Sequence, residues 1–519
     1  MLSTTALVEA TTASELALVA IVALICGHII KSVIYNLYWS PLSGFPGPKL
    51  AAASLIYEFY YDVVKGTFPW EIQRMHNIYG PIVRINPYEI HINDPEYYDE
   101  IYAGGGRTRD KYDWFTRQGG SPTSTFATGP HQLHRQRRKI LGPLFSTPSV
   151  EALEPMINSK VELLCNGLRR CMHQGKIVEL GALYMALALD TITHYSFGES
   201  QCWDCLHHEE FAAELRTAIV DSFGLSNLAR YCPWILNILL PVPRSIVGIV
   251  NRSMKLWLQT MDVIRKHTHH YFNKSNDEGP KEDLTRTVFY HLRNNDAPNE
   301  ERSFGRLADE GNILVAAGGE VVSQYLAVVS FHLLQNPDCI QRLRKELSNV
   351  MPNPDSAVSW KQLKQLPYLS AVVTEGFRIT ALVVTRLPRI PTSEDLVYKE
   401  WCIPRGTPVS STSHFIHLDP TIWKDPLVFD PERWLQDEDR TRLLHRYLVP
   451  FSRGSRQCLG IHFANAQLYL ALAKVFRRFD LELFDTTNAD VEHTRDCFNG
   501  QPFQASKGIR VRVVGECLN

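Results

Sequence analysis

The sequence has little net charge and no regular cysteine framework. Its 54 lysine and arginine residues nearly balance 55 aspartate and glutamate residues, which gives a formal net charge of -1. Proteins that bind nucleic acid through bulk electrostatics carry a strong positive excess, so we expect no nucleic-acid partner. The 11 cysteines are odd in number and scattered along the chain, a distribution typical of reduced thiols rather than a disulfide scaffold. The hydrophobic fraction of 45% is enough for a large core.

Long hydrophobic runs are also scarce, and the clearest one lies at the amino terminus. Residues 16–35 read LALVAIVALICGHIIKSVIY, a length that can cross a bilayer as a helix. No lysine or arginine precedes this run, whereas Lys31 and Lys49 lie at its end and beyond it. This bias places the carboxyl-terminal side in the cytoplasm. We therefore expect a single-pass anchor over residues 1–39.

A proline-rich stretch, SPLSGFPGPK at residues 40–49, follows the apolar run. Proline lacks an N–H and restrains the residue before it, so this composition predicts an extended hinge. Residues 50–519 contain no internal repeat, and helical periodicity dominates between about residues 130 and 380. Strand-like alternation is short and lies near the ends, so we expect one mainly α domain with small β-sheets, an α+β class.

One apolar segment of this domain, residues 231–250, is interrupted by Pro233, Pro241 and Pro243. It is too broken to span a membrane and very apolar for a loop. Two interpretations are equally favoured: the segment belongs to the core, or it contacts the bilayer surface.

The most specific chemical signal is FSRGSRQCLG at residues 451–460. Cys458 lies in a glycine-punctuated turn just before a predicted helix. Gly454 and Gly460 permit backbone geometry that a Cβ would obstruct. The charges of Arg453 and Arg456 and the helix amino terminus are expected to favour the thiolate, which is the form that ligates a metal. On the cysteine alone, a structural role in a buried turn would be the better interpretation.

The segment resembles the haem-binding signature of the cytochrome P450 superfamily, F-x-x-G-x-R-x-C-x-G, at every defined position. The resemblance covers essentially the whole chain and is greatest to fungal microsomal members of secondary metabolism. It implies the cytochrome P450 fold and a haem b cofactor whose iron takes Cys458 as axial ligand. It also implies that Phe451 shields the sulfur and that Arg456 pairs with a haem propionate.

Two further segments resemble the family's structural charge network. EGFR supplies Glu375 and Arg378, three residues apart on one helix face, and FDPERW supplies Arg433. The resemblance implies that these three side chains brace the region that holds the cysteine loop.

Other matches imply contacts with the haem propionates. TRLPRIP supplies Arg389, and HRQRRKILGPLF supplies His134 and Arg138. His134 stands where tryptophan is common in the family, and both side chains can donate a hydrogen bond. Arg135, Arg137 and Lys139 add positive charge to this helix, which suits docking of an acidic, flavin-containing reductase.

The chain departs from the family pattern in the helix that activates oxygen. There the family carries an acid followed by threonine, whereas AAGGEVVS places Glu320 before Val321. Gly318 and Gly319 are expected to open the backbone for oxygen and water. Ser323 lies two residues from Val321, about 200° around the helix, so its hydroxyl does not replace the missing one. We expect Glu320, ordered water or a substrate hydroxyl to deliver protons.

The leading hypothesis is a monooxygenase that uses O2 and electrons from NADPH, delivered by NADPH-cytochrome P450 reductase. Its substrate would be a lipophilic terpenoid, polyketide or alkaloid intermediate. The expected location is the endoplasmic reticulum membrane, in contact with lipid and with the catalytic domain in the cytosol. The alternatives are an O2-independent isomerase or dehydratase, which Val321 favours, and a non-catalytic haem binder. By resemblance the pocket would be lined by Trp114, Phe115, Phe126, residues 314–321 and 383–385, Pro502 and Phe503.

Overall fold

The computed structural model describes residues 4–273 and 284–517. Most of these residues are helical. The first α-helices are α1 Thr4–Ile34, α2 Lys49–Ala53, α3 Ile56–Phe59, α4 Phe68–Tyr79, α5 Tyr98–Ile101, α6 Asp113–Thr116, α7 His131–Leu141, α8 Thr147–Gln174, α9 Leu180–Phe197, α10 Ala213–Tyr231 and α11 Ile235–Leu239. The others are α12 Arg244–Val250, α13 Arg252–Asn273, α14 Val288–Arg293, α15 Phe304–Gln335, α16 Pro337–Leu347, α17 Trp360–Leu363, α18 Pro367–Thr380, α19 Ser413–His417, α20 Glu438–Tyr447 and α21 Ile461–Arg478.

The strands are short. They are β1 Ile82–Arg84, β2 Ile90–Ile92, β3 Arg109–Lys111, β4 Ile177–Glu179, β5 Arg389–Pro391, β6 Leu396–Tyr398, β7 Trp401–Ile403, β8 Val409–Ser410, β9 Phe479–Leu483, β10 Arg495–Cys497, β11 Asn499–Gln501 and β12 Arg510–Glu516. The largest sheet has the order β1-β2-β8-β5-β3, and a three-stranded sheet has the order β4-β12-β9. The strands β6 and β7, and the strands β10 and β11, form two-stranded sheets. The predicted class, mainly α with small β-sheets, is confirmed.

The long helix α15 packs against α9 at the centre of the domain. In α9 every residue except His194 is buried, because its sequence is apolar on nearly all sides. A Cβ on Gly318 of α15 would lie 2.9 Å from Ile192, and one on Gly319 would lie 3.0 Å from Met185. The paired glycines therefore allow close packing, and α15 continues unbroken through them. The expectation that they open the backbone for oxygen and water is wrong.

The amino-terminal helix carries an apolar surface that the domain does not cover. Glu15–Trp39 is long and apolar enough to cross a membrane, and its most apolar 18-residue stretch is not buried at all. The helix α15 also satisfies these length and composition criteria, but most of it is buried in the domain. The amino-terminal helix therefore fits a membrane anchor, whereas α15 is a core helix.

The proline-rich stretch lies against the domain. The carbonyl oxygen of Pro46 accepts a hydrogen bond from the Arg84 N–H at 2.7 Å, and Leu42 is buried in the core cluster beside β1. A Cβ on Gly47 would lie 2.5 Å from the Arg84 carbonyl oxygen. The stretch is irregular, as its prolines predict, but these contacts fix its path and it is not a free spacer.

The apolar segment 231–250 forms α11, α12 and their connections on the surface. Val247 packs with Leu258 of α13, whereas Trp234 is 56% exposed and Ile249 and Val250 are each 86% exposed. The interpretation that the whole segment belongs to the core is therefore wrong, because only one face of it is covered.

Candidate functional site

Cys458 lies in a loop that a short 3₁₀ turn, Gly454–Arg456, holds just before α21. Gly454 has a φ of +71°, and a Cβ there would clash with the carbonyl oxygen of Tyr102. Only glycine fits this position without strain. The Cys458 N–H donates to the carbonyl oxygen of Phe451 at 2.9 Å, which closes the loop. At Gly460 an added Cβ meets no atom within 4 Å, so the expected steric need for glycine is not found there.

The positive charge nearest to the thiol comes from Arg138 in α7. Burial raises the pKa of the Cys458 thiol, while a backbone N–H two residues further on and the Arg138 guanidinium lower this pKa. Arg138 donates to the carbonyl oxygen of Gln457 at 2.6 Å. Arg453 instead pairs with Asp99 at 2.6 Å. The expectation that Arg453 supplies charge to the thiolate is therefore wrong.

Five basic side chains from four elements, β3, α7, β5 and the 3₁₀ turn, converge at the cysteine loop. We call them the basic cluster: Lys111, His134, Arg138, Arg389 and Arg456. Burial, and then the neighbouring cations, lower the pKa of His134 to about 2, so this imidazole is neutral. Burial and the Arg389 guanidinium lower the pKa of Arg456 to about 9. Among the described residues, no carboxylate forms an ion pair with Lys111, Arg138, Arg389 or Arg456, which contact backbone carbonyl oxygens instead.

The basic cluster fits a dianionic group. Arg456 donates to the carbonyl oxygens of Thr128 and Gly129, each at 2.6 Å, but its buried Nε has no partner among the described residues. Arg389 donates to the carbonyl oxygens of the two residues before it, at 3.3 and 3.2 Å. Buried cations are normally paired with anions. The cluster is therefore suited to the two propionates of a haem, beside a cysteine that can ligate its iron.

Sequence analysis did not identify Lys111 as part of this site. The antiparallel pairing of β3 with β5 sets Lys111 opposite Arg389. The Lys111 ammonium donates to the Phe126 carbonyl and lies 3.7 Å from the centroid of the Phe126 ring. The two paired positions are far apart in the chain and share no motif, so only the strand register reveals them.

Phe451 lies among aromatic rings next to the cysteine loop. Its ring meets that of Phe377 edge to face, with 4.9 Å between the centroids. The Phe377 ring is in turn 4.8 Å from that of Tyr325 in α15. Such contacts hold an aromatic ring firmly in place, and the shielding of the sulfur by Phe451 stays a prediction.

Glu375, Arg378 and Arg433 meet in a buried network. Arg378 contacts Glu375 through two hydrogen bonds of 2.9 and 2.6 Å, and the Arg433 Nε lies 3.3 Å from Glu375 Oε1. Glu375 and Arg378 are each 0% exposed. Arg378 also donates to the carbonyl oxygens of His417 and Pro426, at 3.2 and 2.6 Å. The network thus ties α18 to the chain that leads to the cysteine loop.

Replacing Arg378 with alanine is expected to reduce the yield of haem-loaded protein sharply. The change leaves the buried Glu375 carboxylate with too few donors, which typically costs about 3–5 kcal/mol. The ratio of haem to protein and the thermal midpoint measure the effect. The matched control is Arg442→Ala, because Arg442 pairs with Glu438 on the surface, where such pairs contribute at most about 1 kcal/mol. Normal haem content with slowed turnover alone would contradict the bracing role.

Glu320 is fully buried, and two of its contacts line a polar cavity. Its Oε1 accepts from Gln501 Nε2 at 3.1 Å, and its Oε2 lies 3.4 Å from Ser323 Oγ and 3.6 Å from Arg216 Nε. Burial raises the pKa of Glu320, and Arg216 lowers this pKa. These two contacts are Arg216 and Gln501, and the cavity that they line beside Glu179 has a volume of about 140 Å³. Neither residue is marked by a motif in the sequence, because the two come from α10 and β11.

A second, apolar cavity lies between α10, α13, α15 and the loop at residues 118–126. Phe126 and Val321 line this apolar cavity, as expected. Trp114 instead packs against Tyr231, with 5.3 Å between the ring centroids, and Phe503 lines the polar cavity. The lining residues are Gln118, Gly119, Ser121, Phe126, Ile219, Ser222, Phe223, Ser226, Trp257, Thr260, Met261, Ile264, Asn312, Ile313, residues 315–317, Val321, Phe498 and Asn499.

A cysteine loop, a basic cluster and a buried Glu–Arg–Arg network on a mainly helical domain define a haem-thiolate protein. Residues 54–502 match the Cytochrome P450 family, and the chain belongs to this family. Cytochrome P450 monooxygenase MO6277 from Ascocoryne sarcoides is 40% identical over 92% of this chain and 95% of its own length. Conidiogenone synthase PchP450 from Penicillium rubens is 40% identical over 93% of this chain and 96% of its own length. Tryptophan 6-hydroxylase fscE from Fusarium equiseti is 38% identical over 92% of this chain and 94% of its own length.

The family defines the general chemistry of the chain. It is a cytochrome P450 monooxygenase whose cofactor is haem b with its iron. Members of the family use O2, a small-molecule substrate and a redox partner. Haem held by a thiolate supplies the reactivity that cleaves the O–O bond.

Proposed function

We propose that this protein oxidises a lipophilic intermediate of fungal secondary metabolism, such as a terpenoid, polyketide or alkaloid, with electrons from NADPH-cytochrome P450 reductase. The observation that carries the proposal is the apolar cavity, whose wall includes Phe126. Lys111 of the basic cluster lies over the ring of Phe126, so the cavity adjoins the haem-binding residues. Cavities with mostly apolar walls select lipophilic ligands.

The side chains of the site then have separate tasks. Cys458 ligates the iron and Phe451 shields its sulfur. Arg389, Arg456, Arg138 and His134 hold the propionates, and Lys111 lies beside Arg389. Glu320, which contacts Arg216 and Gln501 of the polar cavity, relays protons towards the site through these contacts rather than by touching the substrate.

The docking surface for the reductase is the exposed side of α7. Arg135 and Lys139 are exposed there, near the cysteine loop that Arg138 contacts. Arg137 does not contribute, because it pairs with Glu301 at 2.7 Å. Exposed cations of this kind steer an acidic partner and make its association sensitive to salt.

A second candidate is an O2-independent isomerase or dehydratase. Val321 supports it, because this residue lines the apolar cavity where the family carries a threonine. A non-catalytic haem binder has no comparable observation in its favour, since a cavity for a substrate is present.

Reconstitution with a fungal NADPH-cytochrome P450 reductase separates the two enzymatic candidates. With extracts of the producing fungus as the substrate source, we expect NADPH consumption and O2 uptake to rise together and a new product to appear. Omission of the reductase is the control. A product that forms equally well without NADPH and O2 would contradict the monooxygenase and support the isomerase.

We further propose an endoplasmic reticulum protein with its catalytic domain in the cytosol. Residues 1–39 form the anchor, residues 40–49 the hinge and residues 50–519 the catalytic domain. The exposed apolar side chains of Trp234, Ile249 and Val250 give the domain a second contact with lipid. This surface lies near the anchor end of the domain, because Phe59 and Tyr231 meet edge to face at 5.0 Å.

Deletion of residues 1–34 is expected to release much of the protein from membranes while the thiolate-type spectrum persists. This deletion keeps Asn36, whose carbonyl oxygen accepts from Arg84 at 2.8 Å. Membrane flotation and absorption spectra measure the outcome. Adding Ile249→Asp and Val250→Asp to this deletion is expected to release the protein that still binds membranes. The control is Val397→Asp, because Val397 is an exposed residue of β6. Loss of haem on deletion would show that the span belongs to the core.

A further inference from the structure

The apolar cavity contains buried polar atoms that the chain leaves without partners. Gln118 Nε2, Ser121 Oγ and both amide atoms of Asn312 are buried and make no hydrogen bond among the described residues. Asn499 Oδ1 is also buried and has no hydrogen-bond partner among the described residues. All four residues line the apolar cavity. A buried polar atom without a partner destabilises the fold, so such a group commonly has a ligand to bind.

The loop that carries Gln118 and Ser121 is held against α15 near Asn312. Thr123 donates through its backbone N–H and its hydroxyl to Asp309, at 2.9 and 2.5 Å. Thr125 makes the equivalent pair of bonds to Glu310, at 2.9 and 2.8 Å. The unpaired atoms therefore belong to a fixed surface rather than to a mobile loop.

Further contacts bring the loop to the turn of α15 that holds Asn312. A Cβ on Gly119 would lie 3.6 Å from the side chain of Ile313. Gly119 follows Gln118, and Ile313 follows Asn312. Gln118 and Asn312 therefore line the end of the cavity where this loop meets α15.

The donors and acceptors of this end match a neutral oxygen. Asn312 offers one donor group and one acceptor, Gln118 offers a donor, and Ser121 offers a hydroxyl that can do either. No charged side chain lines the cavity among the described residues. Two other hydroxyls of the lining are already used, since Ser222 donates to the Ile219 carbonyl and Ser226 to the Phe223 carbonyl, at 2.7 and 2.6 Å.

We propose that Gln118, Ser121 and Asn312 bind a hydroxyl or carbonyl oxygen of the substrate, so that the enzyme acts on a hydrocarbon skeleton that is already oxygenated and uncharged. This proposal rests on the proposed function and names its substrate class. An earlier oxidation, or a cyclisation that ends in capture of water, must supply such a substrate.

The polar end of the cavity lies away from Val321 along α15. Val321 follows Asn312 by nine positions, which corresponds to about 14 Å along the helix axis. The anchored oxygen is therefore too far from Val321 to take the place of its missing hydroxyl.

Three probes with one skeleton test the proposal: abietadiene, abietadienol and abietate, which carry no oxygen, one hydroxyl and one carboxylate. Each is titrated into the haem-loaded full chain in lipid nanodiscs, and the change in haem absorption reports binding. We expect abietadienol to bind about 10-fold more tightly than abietadiene, the usual gain from a neutral hydrogen bond to an otherwise unpaired group. Abietate is expected to bind most weakly, because no charged side chain among the described residues lines the cavity and could pair with its carboxylate.

Asn312→Leu is the decisive variant. It is expected to bring the abietadienol and abietadiene dissociation constants within about 2-fold of each other and to raise the thermal midpoint of the substrate-free protein, because an unpaired amide is removed. Asn158→Leu is the matched comparison and should keep the parent's preference, because the buried Asn158 Oδ1 also has no partner among the described residues but Asn158 does not line the cavity. Equal affinity of the parent for both probes, or a preference that survives Asn312→Leu, would overturn the proposal. The titration uses neither electrons nor O2, so failure of the monooxygenase proposal would not change these results.

Discussion

Glu320→Ala is expected to slow product formation by about 10²–10⁴-fold, the usual contribution of general acid–base help. Glu320 is the only acid of the AAGGEVVS segment, and Val321 offers no hydroxyl beside it. Its carboxyl group contacts Gln501 and Arg216, which line the polar cavity, and this suits transfer of protons from that side. Turnover per haem with reductase and NADPH measures the loss.

The pH dependence distinguishes this role from a structural one. Because burial raises the pKa of Glu320, its acid form persists nearer to neutral pH and is lost as the pH rises. The parent rate should therefore fall with rising pH, and Glu320→Gln should lack this dependence at equal haem content. Ser330→Ala is the control, since Ser330 is a buried serine of the same helix whose hydroxyl bonds to Tyr184, at 3.0 Å, and not to Glu320. If Glu320→Ala matches the parent in activity and in product formed per NADPH consumed, Glu320 is not the acid. That result would strengthen the isomerase candidate.

Val321→Thr is expected to change little in the same assay. The substitution restores a hydroxyl of the family pattern in nearly the same volume. If Glu320 already delivers protons, product and peroxide per NADPH should stay close to the parent values. A clear gain in product with less peroxide would show instead that delivery is limited by the missing hydroxyl.

Much of the site could be predicted because its motifs are local. Glu375 and Arg378 share one helix turn, and Gly454 and Cys458 share one loop, so short stretches of sequence carry their geometry. Lys111, Arg216 and Gln501 could not be predicted, because each reaches the site through a pairing of distant elements. Register between strands depends on the whole sheet and leaves no signature in a single short segment.

Some expectations were wrong because a local pattern has more than one physical use. Gly318 and Gly319 suggested an opened helix, but their missing side chains make room for α9. Arg453 suggested a charge for the thiolate, but a carboxylate from α5, that of Asp99, pairs with it. In both cases the neighbour that decides the role comes from a distant part of the chain.

Cys458→Ala is expected to remove the thiolate-type spectrum of the reduced carbon monoxide complex completely. Only a deprotonated cysteine bound to the iron gives this spectrum, and no other cysteine lies in the turn that Gly454 shapes. Cys402→Ala is the control, because Cys402 is an exposed cysteine in β7.

The spectrum of the reduced carbon monoxide complex is therefore the most direct test of the account. The parent and Cys402→Ala should both show the thiolate type, and Cys458→Ala should show none of it at any haem loading. A Cys458→Ala protein that keeps the thiolate-type spectrum would contradict the assignment of Cys458 as the iron ligand and, with it, the proposed site.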